Sequence, residues 1–308
     1  MSPIRLAIVG LGKIARDQHL PAIARTDGIE LVAIASRNAA LEGVYHFATL
    51  DEMLAGGAPI DAVALCTPPQ VRRAQAQAAL EAGKHVLLEK PPGATVSEIG
   101  PLIAAAQASG KTLFATWHSR FAPAVEPARA FLAACTLRSV RIEWKEDVRV
   151  WHPGQDWIFE QGGLGVFDPA INALSILTRI LPRPVFVTGA HLAFPANRDA
   201  PIAAQMELAD AQGLPIRAEL DFLQTGPQTW DISIETDLGN LTLSAGGAKL
   251  FHDGVPLVDA KEAEYAGIYQ HFVALIEAGA SDVDLAPLGL VADAFLLGRR
   301  SLVAPFDY

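Results

Sequence analysis

The chain has 308 residues, 51% of them hydrophobic and 19% charged, with a formal net charge of −10. This length exceeds what one hydrophobic core usually absorbs, so two domains are expected, and the composition excludes a disordered or fibrous protein. The acidic balance argues against nucleic acid or an anionic membrane as partner.

No apolar run approaches the ~18 residues of a membrane span. Met1-Ser2-Pro3 leads straight into Ile4-Arg5-Leu6-Ala7-Ile8-Val9 with no basic leader before an apolar stretch, so a cytoplasmic location is expected. Cys66 and Cys135 have no metal-ligand or redox spacing and are expected to be small buried groups.

Ile4–Val9 is an apolar strand apart from Arg5, and it ends in glycine. A helix follows from about Lys13, with Pro21 expected to break or restart it. Then come a strand at Ile29–Ala35, a short helix at Leu50–Ala55 and a strand at Asp61–Cys66. Val71–Ala82 is an alanine-rich helix closed by Gly83, and His85–Leu88 is a strand. Val96–Ser109, closed by Gly110, is a helix, and Thr112–Ala115 a strand. This alternation predicts an α/β unit over residues 1–117, a Rossmann doubly wound parallel sheet.

After Trp117 the texture changes. Val140–Trp144, Val185–Phe194, Ile202–Leu208, Ile216–Phe222, Thr229–Thr236 and Gly239–Leu243 are predicted strands, several alternating polar and apolar residues. Asp168–Leu181, Tyr265–Ala278 and roughly Pro287–Arg299 are predicted helices. Residues 118–308 are therefore expected to form an α+β domain with a large, open-faced, mostly antiparallel sheet.

Gly10-Leu11-Gly12-Lys13-Ile14-Ala15 fits G-x-G-x-x-A, directly after a strand and opening a helix. Gly10 permits the tight turn, Gly12 lets backbone approach a pyrophosphate, and the helix N-terminus favours the anion. Lys13 and Ile14 belong to the same turn. The second strand ends in Ala35-Ser36-Arg37-Asn38, with no acid to grip both ribose hydroxyls. A hydroxyl and a guanidinium, Ser36 and Arg37, can instead hold a 2′-phosphate, so NADP is preferred and NAD remains possible. Two further strands end in proline-containing loops, Thr67-Pro68-Pro69 and Glu89-Lys90-Pro91, at the edge where open α/β sheets bind ligands.

Gly10–Ala15, Thr67-Pro68-Pro69 and Ala82-Gly83-Lys84-His85-Val86 running into Glu89-Lys90-Pro91 together resemble the Gfo/Idh/MocA oxidoreductase family. Gly162-Gly163-Leu164-Gly165-Val166-Phe167-Asp168, with Asn172, looks like that family's second motif and extends the resemblance to the whole chain. The runs Trp144–Arg149, Trp151–Trp157, Gly165–Pro169 and Asn172–Ile176 resemble the family's bacterial aldose 1-dehydrogenases, which act on L-arabinose or D-galactose. The resemblance implies a Rossmann domain and an open-faced sheet that often buries a homodimer interface. It also implies oxidation of the anomeric C1 hydroxyl to a lactone. The family commonly carries histidine where Asn172 stands, and a histidine where Arg72 stands, five residues after Thr67.

Such an oxidation needs a hydride acceptor, a base for the hydroxyl proton and hydrogen bonds that hold the ring. Asp168 and Asn172 are four apart on a predicted helix and face one way. Asparagine is no base, so proton abstraction falls to Asp168. Lys90 orients the oxygen and stabilises developing negative charge, or is itself the rival base if burial lowers its proton affinity. His118, Glu146, Trp151, His152 and Trp230 are candidates for holding the sugar. Trp151 and His152 lie in a Pro/Gly loop, where an exposed tryptophan is costly unless it meets a ligand or another chain. The alternatives are oxidation of another hydroxyl of a cyclic polyol or sugar derivative, and a non-catalytic dinucleotide- or sugar-binding protein. No metal site is expected.

Overall fold

Ile4–Val9 forms strand β1, whose last four residues are buried, as they must be in a parallel sheet covered on both faces. In the computed structural model, which describes residues 2–261 and 264–308, it sits at the centre of a six-stranded parallel sheet. The others are β2 (Ile29–Ala35), β3 (Tyr45–Phe47), β4 (Ala62–Leu65), β5 (His85–Leu88) and β6 (Leu113–Ala115). Their order is β3-β2-β1-β4-β5-β6, so the chain reverses direction across the sheet between β1 and β4. That reversal is the topological switch point of a doubly wound sheet. The short edge strand β3 was not foreseen, since its first two residues are exposed and carry little apolar signal.

The helix after β1 neither breaks nor restarts at Pro21. A π-helical turn, Ala15–His19, passes directly into Leu20–Ile23. Proline has no N–H, so an α-helical bond is missing there whatever the chain does, and the wide turn absorbs the loss. The same turn buries His19 completely.

Two compact units emerge, but they are not divided by a single boundary at 117. The first is Met1–His118 together with Glu264–Asp284, and the second is Ser119–Ala263 together with Leu285–Tyr308. The cause is the helix Glu264–Ala278. Its buried face is Tyr265, Ile268, Tyr269, Phe272 and Leu275, a helical apolar stripe that packs beside Leu20–Ile23. Asp282 then bonds one edge of β6 on either side of Phe114, through Leu113 O and the Ala115 N–H.

The second unit holds a nine-stranded sheet of β7 (Leu137–Lys145), β8 (Val185–Pro195), β9 (Ala203–Asp210), β10 (Ile216–Asp221), β11 (Thr229–Thr236), β12 (Gly239–Ser244), β13 (Lys249–His252), β14 (Val255–Asp259) and β15 (Arg299–Val303). Their order is β14-β13-β12-β11-β7-β10-β9-β8-β15. Only β7/β10 and β8/β15 pair in parallel, so the sheet is mostly antiparallel as predicted. Helices Val125–Leu132, Phe167–Ile180 and Ala286–Leu297 pack on one face. The other carries ion pairs such as Lys145–Glu219 at 2.8 Å. The predicted helix to Arg299 stops at Leu297, and Arg299 opens edge strand β15 instead. No helix among the described residues is long and apolar enough to cross a membrane.

Core position and edge position should respond differently to truncation. Leu65 of β4 is fully buried, whereas Leu302 of β15 is 80% exposed. Leu65→Ala should lower unfolding free energy by about 2–5 kcal/mol, and Leu302→Ser by less than about 0.5 kcal/mol. Urea unfolding of both variants checks this, and equal losses would contradict the placement of the core.

Candidate active site

Gly10 closes β1 at φ +90°, bonding its N–H to Ala35 O at 2.9 Å. A Cβ there would lie 3.0 Å from Thr67 Cγ2 and 3.1 Å from the Cys66 carbonyl carbon, so only glycine fits this close crossing of two strand ends. At Gly12 a Cβ would meet nothing within 4 Å, which leaves the start of the helix open to an incoming group. Bare backbone on one side and a glycine-only crossing on the other fit the pyrophosphate of a dinucleotide. Lys13 is exposed and paired with Asp17, and Ile14 is exposed. Ser36 is tied to the β3 end through Phe47 O, and Arg37 beside it is exposed. Thr67 donates to Gln75 Oε1 at 2.5 Å, while Pro68 precedes the helix Pro69–Glu81.

Lys90 follows β5 on the same edge of the sheet and is half-buried. Beneath it lies Glu89, which is buried and accepts from Tyr265 Oη at 2.8 Å and from the Lys90 N–H at 2.8 Å. His19 Nε2 lies 3.0 Å from Glu89 Oε1, and its Nδ1 is 2.7 Å from Tyr269 Oη. Burial would push the Glu89 carboxyl up, but the His19 hydrogen bond and the charges of His19, His118 and Arg72 outweigh it and hold the group below the usual carboxylate range. His118 belongs to this first unit. It pairs with Glu264 and stacks on Tyr265 at 5.4 Å. Burial lowers its proton affinity, yet Glu264 and Glu89 win and raise it above the ordinary histidine value.

The sequence marks Arg72 only as a departure from the family's histidine and assigns it no role, and it gives no role to His19, Tyr265 or Tyr269. Arg72 is buried, donates to Glu89 O at 2.5 Å, and also bonds Pro91 O and Thr67 O. It staples the two proline loops to each other. The sequence signal was the position of Arg72 after Thr67, and the i, i+4 spacing of Tyr265 and Tyr269.

In the second unit β7 and the loop after it bring four candidates together. Lys145 turns to the uncovered face, so Trp144 and Glu146 turn inward. Glu146 is 2% exposed and accepts from Trp230 Nε1 at 2.8 Å, with His152 Nε2 at 3.1 Å from its other oxygen. Trp230 lies between Trp144, at 6.0 Å, and Trp151, at 4.7 Å between ring centres. His152 Nδ1 is 3.9 Å from Asp168 Oδ2.

Asp168 is buried in the first turn of Phe167–Ile180, where the helix dipole favours a carboxylate. Gly163 makes the approach to that helix possible. A Cβ there would lie 2.3 Å from Trp157 O and 2.4 Å from Ile158 O. One helical turn beyond Asp168, Asn172 Oδ1 is buried and accepts no hydrogen bond from the described residues. A buried acceptor without a donor is rare and invites one from a ligand. The site thus offers a carboxylate, an unanswered amide oxygen, a fixed histidine and aromatic faces. Among the described residues no group of three His, Cys, Asp or Glu side chains is placed to hold a metal ion.

Residues 4–116 match the family model described as an oxidoreductase family with an NAD-binding Rossmann fold. The chain is 51% identical to a galactose 1-dehydrogenase of Pseudomonas fluorescens, over 99% of either chain. It is 60% identical to a D-galactose-1-dehydrogenase of known crystal structure from Rhizobium etli, with a TM-score of 0.95, covering 100% of this chain and 99% of that one. A 3-ketoreductase from Actinomadura kijaniata, solved with NADP and TDP-benzene, shares the fold at 20% identity and a TM-score of 0.85, covering 98% of this chain and 100% of that one. Fold and site define an oxidoreductase built on a dinucleotide-binding domain. The chain belongs to the Gfo/Idh/MocA oxidoreductase family.

The raised proton affinity of His118 has a consequence for stability. A group raised in the folded state contributes stability that is fully present below its unfolded value and is lost as pH rises through its folded value. Wild type should therefore exceed His118→Gln in Tm most clearly near pH 6, and the gap should narrow above the ordinary histidine range. Thermal melts across pH check this, and a gap that widens with pH would contradict it.

Proposed function

We propose that the protein oxidises the anomeric C1 hydroxyl of an aldose, D-galactose and its C5-truncated analogue L-arabinose, to the lactone, with NADP preferred over NAD. The observation that carries this reading is the pairing of Asp168 with the unanswered Asn172 Oδ1, one helical turn apart and both buried. One can take a hydroxyl proton and the other can accept a second hydroxyl. The likeness to galactose 1-dehydrogenases supports the substrate class.

When bound, the dinucleotide supplies a hydride acceptor. C1–H leaves with its electron pair, the O–H proton passes to Asp168, and the C1–O bond becomes a carbonyl. Glu146 accepts from Trp230 Nε1 and, as a carboxylate, can only accept from His152 Nε2–H, which leaves Nδ1 on the Asp168 side. Trp151 and Trp230 offer faces to the C–H side of a pyranose. Lys90 donates to the sugar oxygen and stabilises negative charge as it develops.

Mixing the protein with NADP or NAD and a panel of D-galactose, L-arabinose and a cyclitol tests the reading through absorbance of the reduced nicotinamide. Reduction with the two aldoses is expected, and no reduction with any aldose would overturn it. Arg37 stands two residues after the end of β2, with Ser36 between, and no acid stands there. Arg37→Asp should reverse the NADP preference, because losing a hydrogen bond to a charged group costs roughly tenfold or more in affinity. Equal affinity for both dinucleotides in wild type, unmoved by the substitution, would refute this role.

Asp168→Asn should retain sugar binding and lose turnover by ~10²–10⁴-fold, the loss typical of a missing general base. Steady-state kinetics across pH checks this. Near-normal turnover in Asp168→Asn, with Lys90→Met dead and its pH profile altered, would move the proton to Lys90.

A further inference from the structure

The proposed chemistry uses the Lys90 side chain but leaves unexplained the buried polar groups around its backbone. Glu89 Oε2 accepts the Lys90 N–H at 2.8 Å. Glu89 Oε1 is held by Tyr265 Oη at 2.8 Å and His19 Nε2 at 3.0 Å. Arg72 bonds Glu89 O at 2.5 Å and also Pro91 O, the carbonyls on either side of Lys90. The amide N–H of Lys90, the Glu89 carbonyl in the same peptide and the carbonyl of Pro91 are all bonded. The peptide plane that leads into the lysine is thereby held at both its N–H and its carbonyl, and the chain just beyond the lysine is tied down at Pro91, which restricts where the side chain can start.

We propose that Glu89, Arg72, His19 and Tyr265 are positioning residues, a clamp that aims Lys90 at the reacting oxygen; its kinetic consequences rest on the function proposed above. Stability alone is a poor reason for such a cluster. A buried ion pair commonly adds nothing over apolar side chains of the same volume. Fixed aim, by contrast, is what a donor to a transition state requires, and a displacement of ~1 Å can cost ~10²-fold in rate. The clamp also draws on the chain from four separate places. His19 lies in the π-helical turn after β1, Arg72 in the helix after β4, Glu89 at the end of β5, and Tyr265 in the returning helix.

The decisive variant is Glu89→Gln, which keeps the shape. Its amide has one acceptor oxygen for the three donors that now face two, so a donor is left against a donor. Expected are a kcat on D-galactose lower by ~10–10²-fold and nearly unchanged values of KM and of dinucleotide Kd by fluorescence titration. In the Lys90→Met background, Glu89→Gln should add no further loss, because both act through one group. Hydrogen exchange at the Lys90 amide should quicken in Glu89→Gln with no sugar present, a readout independent of turnover.

If wild type reduces no dinucleotide with any aldose, the proposed reaction fails, and the exchange at Lys90 still judges the clamp. Unchanged Lys90 exchange overturns the clamp. So does a loss of kcat that is matched by losses in Tm and in dinucleotide affinity, since that is the signature of general unfolding. If Glu89→Gln does not fold, Tyr265→Phe removes one donor from Glu89 with little change of shape and carries the same kinetic and exchange measurements. Unchanged kcat and unchanged exchange in that variant overturn the proposal.

Discussion

A carboxylate sealed inside a protein must be answered by donors or it costs several kcal/mol, and Glu89 imposes that demand at the end of β5. Its donors come from the helix after the glycine turn, from the returning helix and from the next residue in the chain. The widened turn that carries His19 and the return of residues 264–284 to the first unit are two local oddities with one shared result. Both deliver a partner to the same buried charge. Arg72 closes the arrangement from the opposite side by bonding both proline loops.

The second unit uses the same device. Glu146 is a buried carboxylate answered by an indole N–H and an imidazole, and its demand sets the ring of His152. Phe222, 5.7 Å away, packs against that ring, and Phe159 packs on Phe222 at 5.9 Å. A histidine so held cannot swing freely, which keeps Nδ1 on the Asp168 side. Among the described residues Asn172 Oδ1 is the buried side-chain acceptor of this site left without a donor, and it is the feature that most needs a ligand.

Much of this was legible in the sequence because local chemistry decided it. The strand–glycine–helix run at Ile4–Ala15 announced the dinucleotide turn, and period-two alternation announced β7 to β12. The Asp-Gly turn between β13 and β14 carried a hairpin signal that passed unused: Asp253 and Gly254 have φ of +48° and +79°, as a tight two-residue turn requires. What the sequence hid was long-range. Glu89 meets Tyr265 across 176 positions, and Glu146 meets Trp230 across 84. No spacing rule links such residues. Nor could alternation settle the facing of Glu146 beside Lys145 and Asp147 until strand pairing placed Lys145 on the ionic face.

The proposed reaction turns on hydride leaving C1 of the sugar. D-Galactose deuterated at C1 tests it most directly, by mass spectrometry of the nicotinamide product and the sugar product after turnover. Oxidation at C1 should leave one deuterium in the reduced nicotinamide and a lactone that has lost it. A reduced nicotinamide carrying only protium, with the label still on the sugar, would place the oxidation at another carbon and rule out a C1 reaction.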